Sequence, residues 1–143
     1  FINTLAEITA KGGNFVLNVG PTGEGVIEEE VIKRLKQVGG WLKTNGTAIY
    51  ATRTTPNYNS GNVWFTANKD KKTLYAIYAL PEGEELPATI EWEGNEPKGK
   101  MTLLQTGKQV KYTSKDGKVI VTLPKGLKKE ALAFSFKSSS KPN

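Results

Sequence analysis

From Thr47 onward the chain is a succession of short apolar runs, each shorter than an ordinary helix and each closed by turn-forming residues. The runs fall at 62–67, 73–80, 89–93, 101–105, 109–113, 118–123 and 132–137. Between them stand Lys69-Asp70-Lys71, Gly94-Asn95, Lys115-Asp116-Gly117 and Pro124-Lys125-Gly126. Several runs alternate with a period of two: Val119, Val121 and Leu123 point one way and Ile120 and Thr122 the other. Leu132, Phe134 and Phe136 likewise alternate with Ala133 and Ser135. Seven or eight antiparallel strands so closely spaced predict a β-sandwich over 47–143. The tail from Ser138 to Asn143 is expected to fray.

The first 46 residues have a different grammar. Ile2, Leu5, Ala6 and Ile8 form a helical stripe that ends at Gly12-Gly13. Asn14-Phe15-Val16-Leu17-Asn18-Val19 is a continuous apolar run, the pattern of a strand buried on both faces. The Gly- and Pro-rich stretch 20–25 is a loop, and a helix is predicted over 27–43. Glu28, Glu29 and Glu30 in its first turn and Lys33, Arg34, Lys36 and Lys43 later suit the helix dipole. Its stripe of Val31, Leu35, Val38 and Leu42, flanked by Ile32 and Trp41, needs an apolar surface to cover it. One strand between two helices cannot build its own sheet, so its neighbours must lie elsewhere. With no initiator Met and no signal-peptide pattern at Phe1, the chain reads as a piece of a longer protein.

Composition removes much chemistry. The chain has no Cys and no His. Disulfides, thiol nucleophiles, Cys/His zinc sites and serine–histidine relays are therefore excluded within it. No stretch approaches the roughly 20 apolar residues of a membrane-spanning helix. The net charge is +6, and eleven lysines lie in residues 96–143. The only arginines, Arg34 and Arg53, lie outside that basic half, and lysine is a poor substitute for arginine's bidentate fork. The lysines read as a solvated surface that protects strand edges, and no nucleic-acid partner is expected. A lack of cysteine fits a cytosolic protein or a cysteine-poor bacterial secreted one.

The stretch Gly12-Gly13-Asn14-Phe15-Val16-Leu17-Asn18-Val19-Gly20-Pro21-Thr22 resembles the end of the catalytic barrel in α-L-fucosidases of glycoside hydrolase family 29. The resemblance continues through Gly25-Val26-Ile27-Glu28 and is strong again from Gly40-Trp41-Leu42 through Ile49-Tyr50-Ala51-Thr52-Arg53. Glu24 stands where the family more often has Asp, and Thr54-Thr55-Pro56 replaces an expected Pro-Trp. The resemblance implies a mainly β chain, with a C-terminal antiparallel β-sandwich over 47–143. Residues 1–46 would be the last βα unit of a (β/α)8-like barrel. It implies a parent enzyme that is a retaining exo-α-L-fucosidase acting on fucosylated glycans. Its own barrel would be the packing partner, with no cofactor, metal or membrane partner, and a bacterial periplasmic or secreted location is favoured.

Such a mechanism needs a carboxylate nucleophile and an acid/base about 5–5.5 Å apart. In the family both lie upstream of this segment, as do the histidines that grip the sugar, so no catalytic residue is assigned here. Glu91 and Glu93 share a strand face opposite Trp92 and read as solubilising acids; Asp70 and Asp116 read as turn residues. Three weak candidates for substrate contact remain: Asn18 and Thr22, in the loop after the barrel strand, and Tyr58. Among Trp64, Trp92, Tyr50, Tyr58, Tyr75, Tyr78 and Tyr112, alternation opposes Trp64 to Phe65 and Tyr75 to Tyr78, which sends most of them inward. Tyr58 is then the foremost exposed aromatic. Two other readings stay open: a stand-alone carbohydrate-binding sandwich and a purely structural domain.

Overall fold

A computed structural model describes residues 1–139. Two helices, α1 (Ile2–Ala10) and α2 (Glu29–Asn45), precede a short 3-10 helix at Gly46–Ala48 and eight strands. The strands are β1 (Asn59–Ser60), β2 (Val63–Ala67), β3 (Thr73–Tyr78), β4 (Thr89–Glu93), β5 (Pro97–Leu103), β6 (Lys108–Lys115), β7 (Lys118–Thr122) and β8 (Leu132–Ser138). No helix among the described residues is long and apolar enough to cross a membrane.

The strands form one antiparallel array in the order β1-β2-β3-β8-β5-β6-β7-β4, folded over into two layers. β6 carries the chain between layers: Lys108 to Val110 pair with β5, and Lys111 to Lys115 pair with β7. The tight β6–β7 hairpin is closed by Asp116 and Gly117, at φ 53° and 83°, the left-handed pair that a two-residue type I′ turn requires. The two edges of the array nearly meet. Asn57 Nδ2 donates to the Glu93 carbonyl at 3.0 Å, and the Glu93 amide donates to Ser60 Oγ at 2.9 Å. Side chains thus join the two edges of the array where no ladder does.

The alternation read from the sequence sets the core. Val63, Phe65, Leu74, Val119, Val121, Leu132, Phe134 and Phe136 all face inward around Trp92. The indole meets Phe65 edge-on at 5.7 Å, stacks on Phe136 at 5.9 Å and lies 6.5 Å from Phe134. The opposite face of the β3–β8 layer presents Ile77 and Ala133. This face is covered by Ala6 of α1, Trp41 of α2 and Ala48.

Several expectations need correction. The run 14–19 is not a doubly buried strand: it belongs to no helix or strand and pairs with none, and Val16 is 81% exposed. A strand persists only with a ladder partner, and no described residue supplies one. The second helix spans Glu29–Asn45 rather than 27–43; Glu28 occupies its N-cap position. Of the stripe Val31, Leu35, Val38 and Leu42, none is fully buried, and only Trp41 and Asn45 are. The loop before β2 holds the two-residue strand β1, too short and polar to show alternation. β5 begins earlier than its apolar run because Gly99, at φ 77°, makes a bulge that admits Lys98 and Lys100. Ser138 closes β8 rather than fraying, and the remainder of the tail beyond 139 lies outside the described residues. The first helix does stop at Gly12-Gly13, as expected. Gly13 N–H bonds the Ile8 carbonyl and Gly12 N–H that of Thr9, a Schellman cap with Gly12 at φ 86°.

If Trp92 holds the layers together, Trp92→Ala should lower unfolding stability by about 3–5 kcal/mol. Urea titration followed by circular dichroism checks this, and Trp92→Phe should lose distinctly less.

Candidate functional site

The loop from Asn18 to Gly25 leads from the apolar run into α2. Thr22 closes it: Thr22 N–H donates to the Val26 carbonyl at 2.8 Å, Gly25 N–H donates to the Thr22 carbonyl at 2.9 Å, and Val26 N–H donates to Thr22 Oγ1 at 3.2 Å. The hydroxyl is therefore engaged in shaping the turn. Asn18 is exposed and lines a groove of about 320 Å3 with Phe1, Leu17, Val31, Arg34 and Leu35. Two of the exposed large apolar residues, Phe1 and Leu35, line it, and Val16, Val26 and Ile27 are exposed on the same stretch of chain between α1 and α2. An apolar patch of this kind marks a surface made for contact.

Tyr58 stands apart from that loop, on the segment leading into β1. It is 44% exposed, and its carbonyl accepts from Phe65 N–H at 2.9 Å. The Lys11 ammonium, which pairs with Glu7 at 2.8 Å, lies 5.5 Å from the Trp64 ring centre. The hydrogen bond that Lys11 donates to the Glu7 carboxylate raises the Lys11 pKa above its ordinary value, with Tyr58 a smaller electrostatic contributor. Asn18 and Thr22 thus share one loop, and Tyr58 belongs to another surface. Tyr50, at 62% exposure, is a more open aromatic than Tyr58. No periodicity signals it, because it follows a 3-10 turn.

The carboxylates take structural places. Glu91 and Glu93 are exposed on β4, flanking buried Trp92, and Glu91 pairs with Lys118 at 3.2 Å. Glu96 accepts from Ser114 Oγ at 2.8 Å. Among the described residues no group of three or more Asp or Glu is placed to hold a metal.

What binds the two halves of the chain together is a carbonyl. Trp41 Nε1 and Gln105 Nε2 both donate to the Ala131 oxygen, at 2.9 and 2.7 Å. Asn45 Nδ2 turns back to the Trp41 carbonyl at 3.1 Å, and Asn45 Oδ1 is buried without a partner. It borders a groove of about 650 Å3 between α2 and the β7–β8 loop, lined also by Lys128 and Glu130. Nothing in the residue spacing announces this contact, since its acceptor is backbone 90 positions away.

Comparison with known proteins places both parts of the chain. Residues 1–47 match the sequence model of the family described as alpha-L-fucosidase, and residues 57–137 match that of the alpha-L-fucosidase C-terminal domain. The plasma alpha-L-fucosidase of Rattus norvegicus is 35% identical over 135 residues, which is 87% of this chain and 28% of that protein. The tissue alpha-L-fucosidase of Homo sapiens is 34% identical over 128 residues, 86% of this chain and 27% of that one. A crystal structure of Thermotoga maritima alpha-fucosidase, in complex with a mechanism-based inhibitor, superposes with a TM-score of 0.78 at 26% identity. The superposition covers 96% of this chain and 33% of that chain. The chain therefore spans about a third or less of the proteins it matches.

Two outcomes test this geometry. Trp41→Phe, which removes the indole N–H, should cost about 0.5–1.5 kcal/mol in urea unfolding, because one hydrogen bond is lost while Gln105 still satisfies the carbonyl. Burial, aided by Asp70 for Tyr75 and Glu84 for Tyr78, raises both tyrosine pKa values above the ordinary one. The folded state therefore holds those protons longer than the unfolded chain does. Stability should be unaffected by these groups below about pH 10 and fall as pH rises further, as a pH series of melting temperatures would show.

Proposed function

This chain belongs to the α-L-fucosidase family, and we propose that it is the C-terminal part of a retaining exo-α-L-fucosidase that removes terminal α-linked L-fucose from glycans. In this reading residues 1–46 are the last βα unit of the catalytic barrel and 47–143 the accessory β-sandwich. The observation that carries it is the incomplete first part. An apolar segment without ladder partners among the described residues lies beside a helix whose stripe is incompletely covered, with Leu35 exposed and Val31 and Val38 half-buried. A barrel supplies both needs at once: neighbouring parallel strands for 14–19 and an apolar wall for α2. The sandwich holds α2 from the other side through Trp41 and so braces the barrel.

Asn18 and Thr22 then sit at the C-terminal end of the last barrel strand, where barrel enzymes carry their active sites. Thr22 sets the turn that presents the loop, and Asn18 offers the free amide. Tyr58 is the sandwich's contribution if it reaches the substrate. The nucleophile and the acid/base belong to the upstream barrel, because the carboxylates of this chain are turn, edge or helix-end residues.

The test is the mass and start site of the parent polypeptide, coupled to an assay on 4-nitrophenyl α-L-fucoside. The expected parent is about three times this length, as its structural relative is. It should release fucose, and the 143-residue chain by itself should release none. A gene product beginning near Phe1 would overturn the barrel assignment of 1–46.

A further inference from the structure

We propose that the groove beside Tyr50 is a saccharide-binding site, taking a sugar unit of a glycan chain against the tyrosine ring and beside the Asp70 carboxylate. The groove has a volume of about 490 Å3 and lies between the end of the 3-10 helix and the β2–β3 turn. Tyr50, Ala51, Asn68, Lys69, Asp70 and Tyr75 line it.

Three features argue for a built site rather than a chance hollow. The first is how the ring is held. A Cβ on Gly46 would lie 2.8 Å from a ring carbon of Tyr50, so only glycine lets the ring rest against the helix end. One side of the ring is thereby fixed, and the residue still remains 62% exposed. A rigid aromatic surface costs little ordering entropy when a ligand stacks on it.

The second is backbone strain. Among the described residues four non-glycines have positive φ, and two of them, Asn95 and Asp116, are types that tolerate it. The other two, Ala51 at 54° and Lys71 at 59°, flank this one groove, Ala51 in its wall and Lys71 in the adjoining turn. Such conformations persist where the surrounding structure enforces them and collect at ligand-binding positions.

The third is the chemistry of the lining. Sugars present apolar C–H faces together with hydroxyls that both donate and accept. Tyr50 and half-buried Tyr75 supply the apolar surface. Asp70 spends Oδ1 on the Lys72 amide at 2.8 Å, and Asn68 spends Oδ1 on the Thr73 amide at 3.1 Å. These bonds fix both side chains in orientation and leave the second carboxylate oxygen and the Asn68 amide hydrogens for a ligand. Lys69 and Asp70 are the charged residues of the lining, and Lys71 and Lys72 continue the turn beside them.

The site is distinct from the loop at 18–22. That loop precedes α2 and Tyr50 follows it, and a 17-residue helix is about 25 Å long. Only the choice of glycan as ligand rests on the fucosidase reading. The experiment is calorimetric titration of the full 143-residue chain with 2′-fucosyllactose and with lactose. Saturable binding is expected. Tyr50→Ala and Asp70→Asn should each weaken it by about tenfold or more, and Tyr50→Trp should preserve it. Unchanged urea midpoints would show that the variants fold. Absence of saturable binding to either sugar, or equal affinity in Tyr50→Ala, overturns the proposal. Fucoside hydrolysis by the parent is a separate readout: its failure with binding retained would sink the catalytic reading alone, and binding lost with hydrolysis intact would sink only this site.

Discussion

The Ala131 carbonyl is where the two halves of this chain meet. It accepts the Trp41 indole N–H from α2 and the Gln105 amide from the β5–β6 loop, and Gln105 in turn accepts the Ala133 N–H at 3.2 Å. Two segments distant in sequence are thereby fixed to the start of β8. Burying Trp41 without a partner would leave an indole donor unsatisfied; the carbonyl, already held by Gln105, has a second lone pair that accepts it. Thr66 Oγ1 reinforces the joint by donating to the Ala48 carbonyl at 2.7 Å, and Asn3 Nδ2 ties α1 to the Leu80 carbonyl at 2.8 Å. The helices therefore dock on the sandwich through hydrogen bonds to backbone, surrounded by small residues such as Ala6, Ala48 and Ala133 that let them approach closely.

The opposite side of the same layer works on a different principle. There the core is apolar and aromatic, and Trp92 spans the gap between the layers against Phe65, Phe134 and Phe136. Because β6 passes from one layer to the other, the sheet is continuous, and its free edges are brought together at Glu93 by Asn57 and Ser60. Gly94 belongs to this closure: a Cβ there would lie 2.4 Å from Asn57 Nδ2, and its φ of 77° already excludes most side chains. Closing an edge with side chains protects it from pairing with another chain.

The first part of the chain is finished on one side only. The face of α2 that carries Trp41 is buried, and the face that carries Val31, Leu35 and Ile32 is not. The same asymmetry applies to 14–19, which has strand sequence and no strand partners. A barrel beside the sandwich, as proposed, would cover that surface. The carboxylates of the chain agree with a supporting role, since each one described above serves a turn, an edge or a helix end.

Much of the fold was legible from residue spacing. Alternation placed Val119, Val121, Phe134 and Phe136 inward, the Asp116-Gly117 pair located the hairpin, and Gly12-Gly13 ended α1. These are local rules, set by the pleat of a strand, the φ of glycine and the caps of a helix, and they hold wherever the segment lies. The motifs from Gly12 to Arg53 carried the family as well. Tertiary structure decided what local rules do not reach. Whether 14–19 becomes a strand depends on partners, so its composition alone misled. Tyr58 was read as the open aromatic from its loop, and Tyr50, just after the 3-10 turn, is the more exposed of the two. The pairing of Trp41 with a carbonyl 90 residues away has no sequence signature at all, because every residue carries the same carbonyl and only the fold selects one.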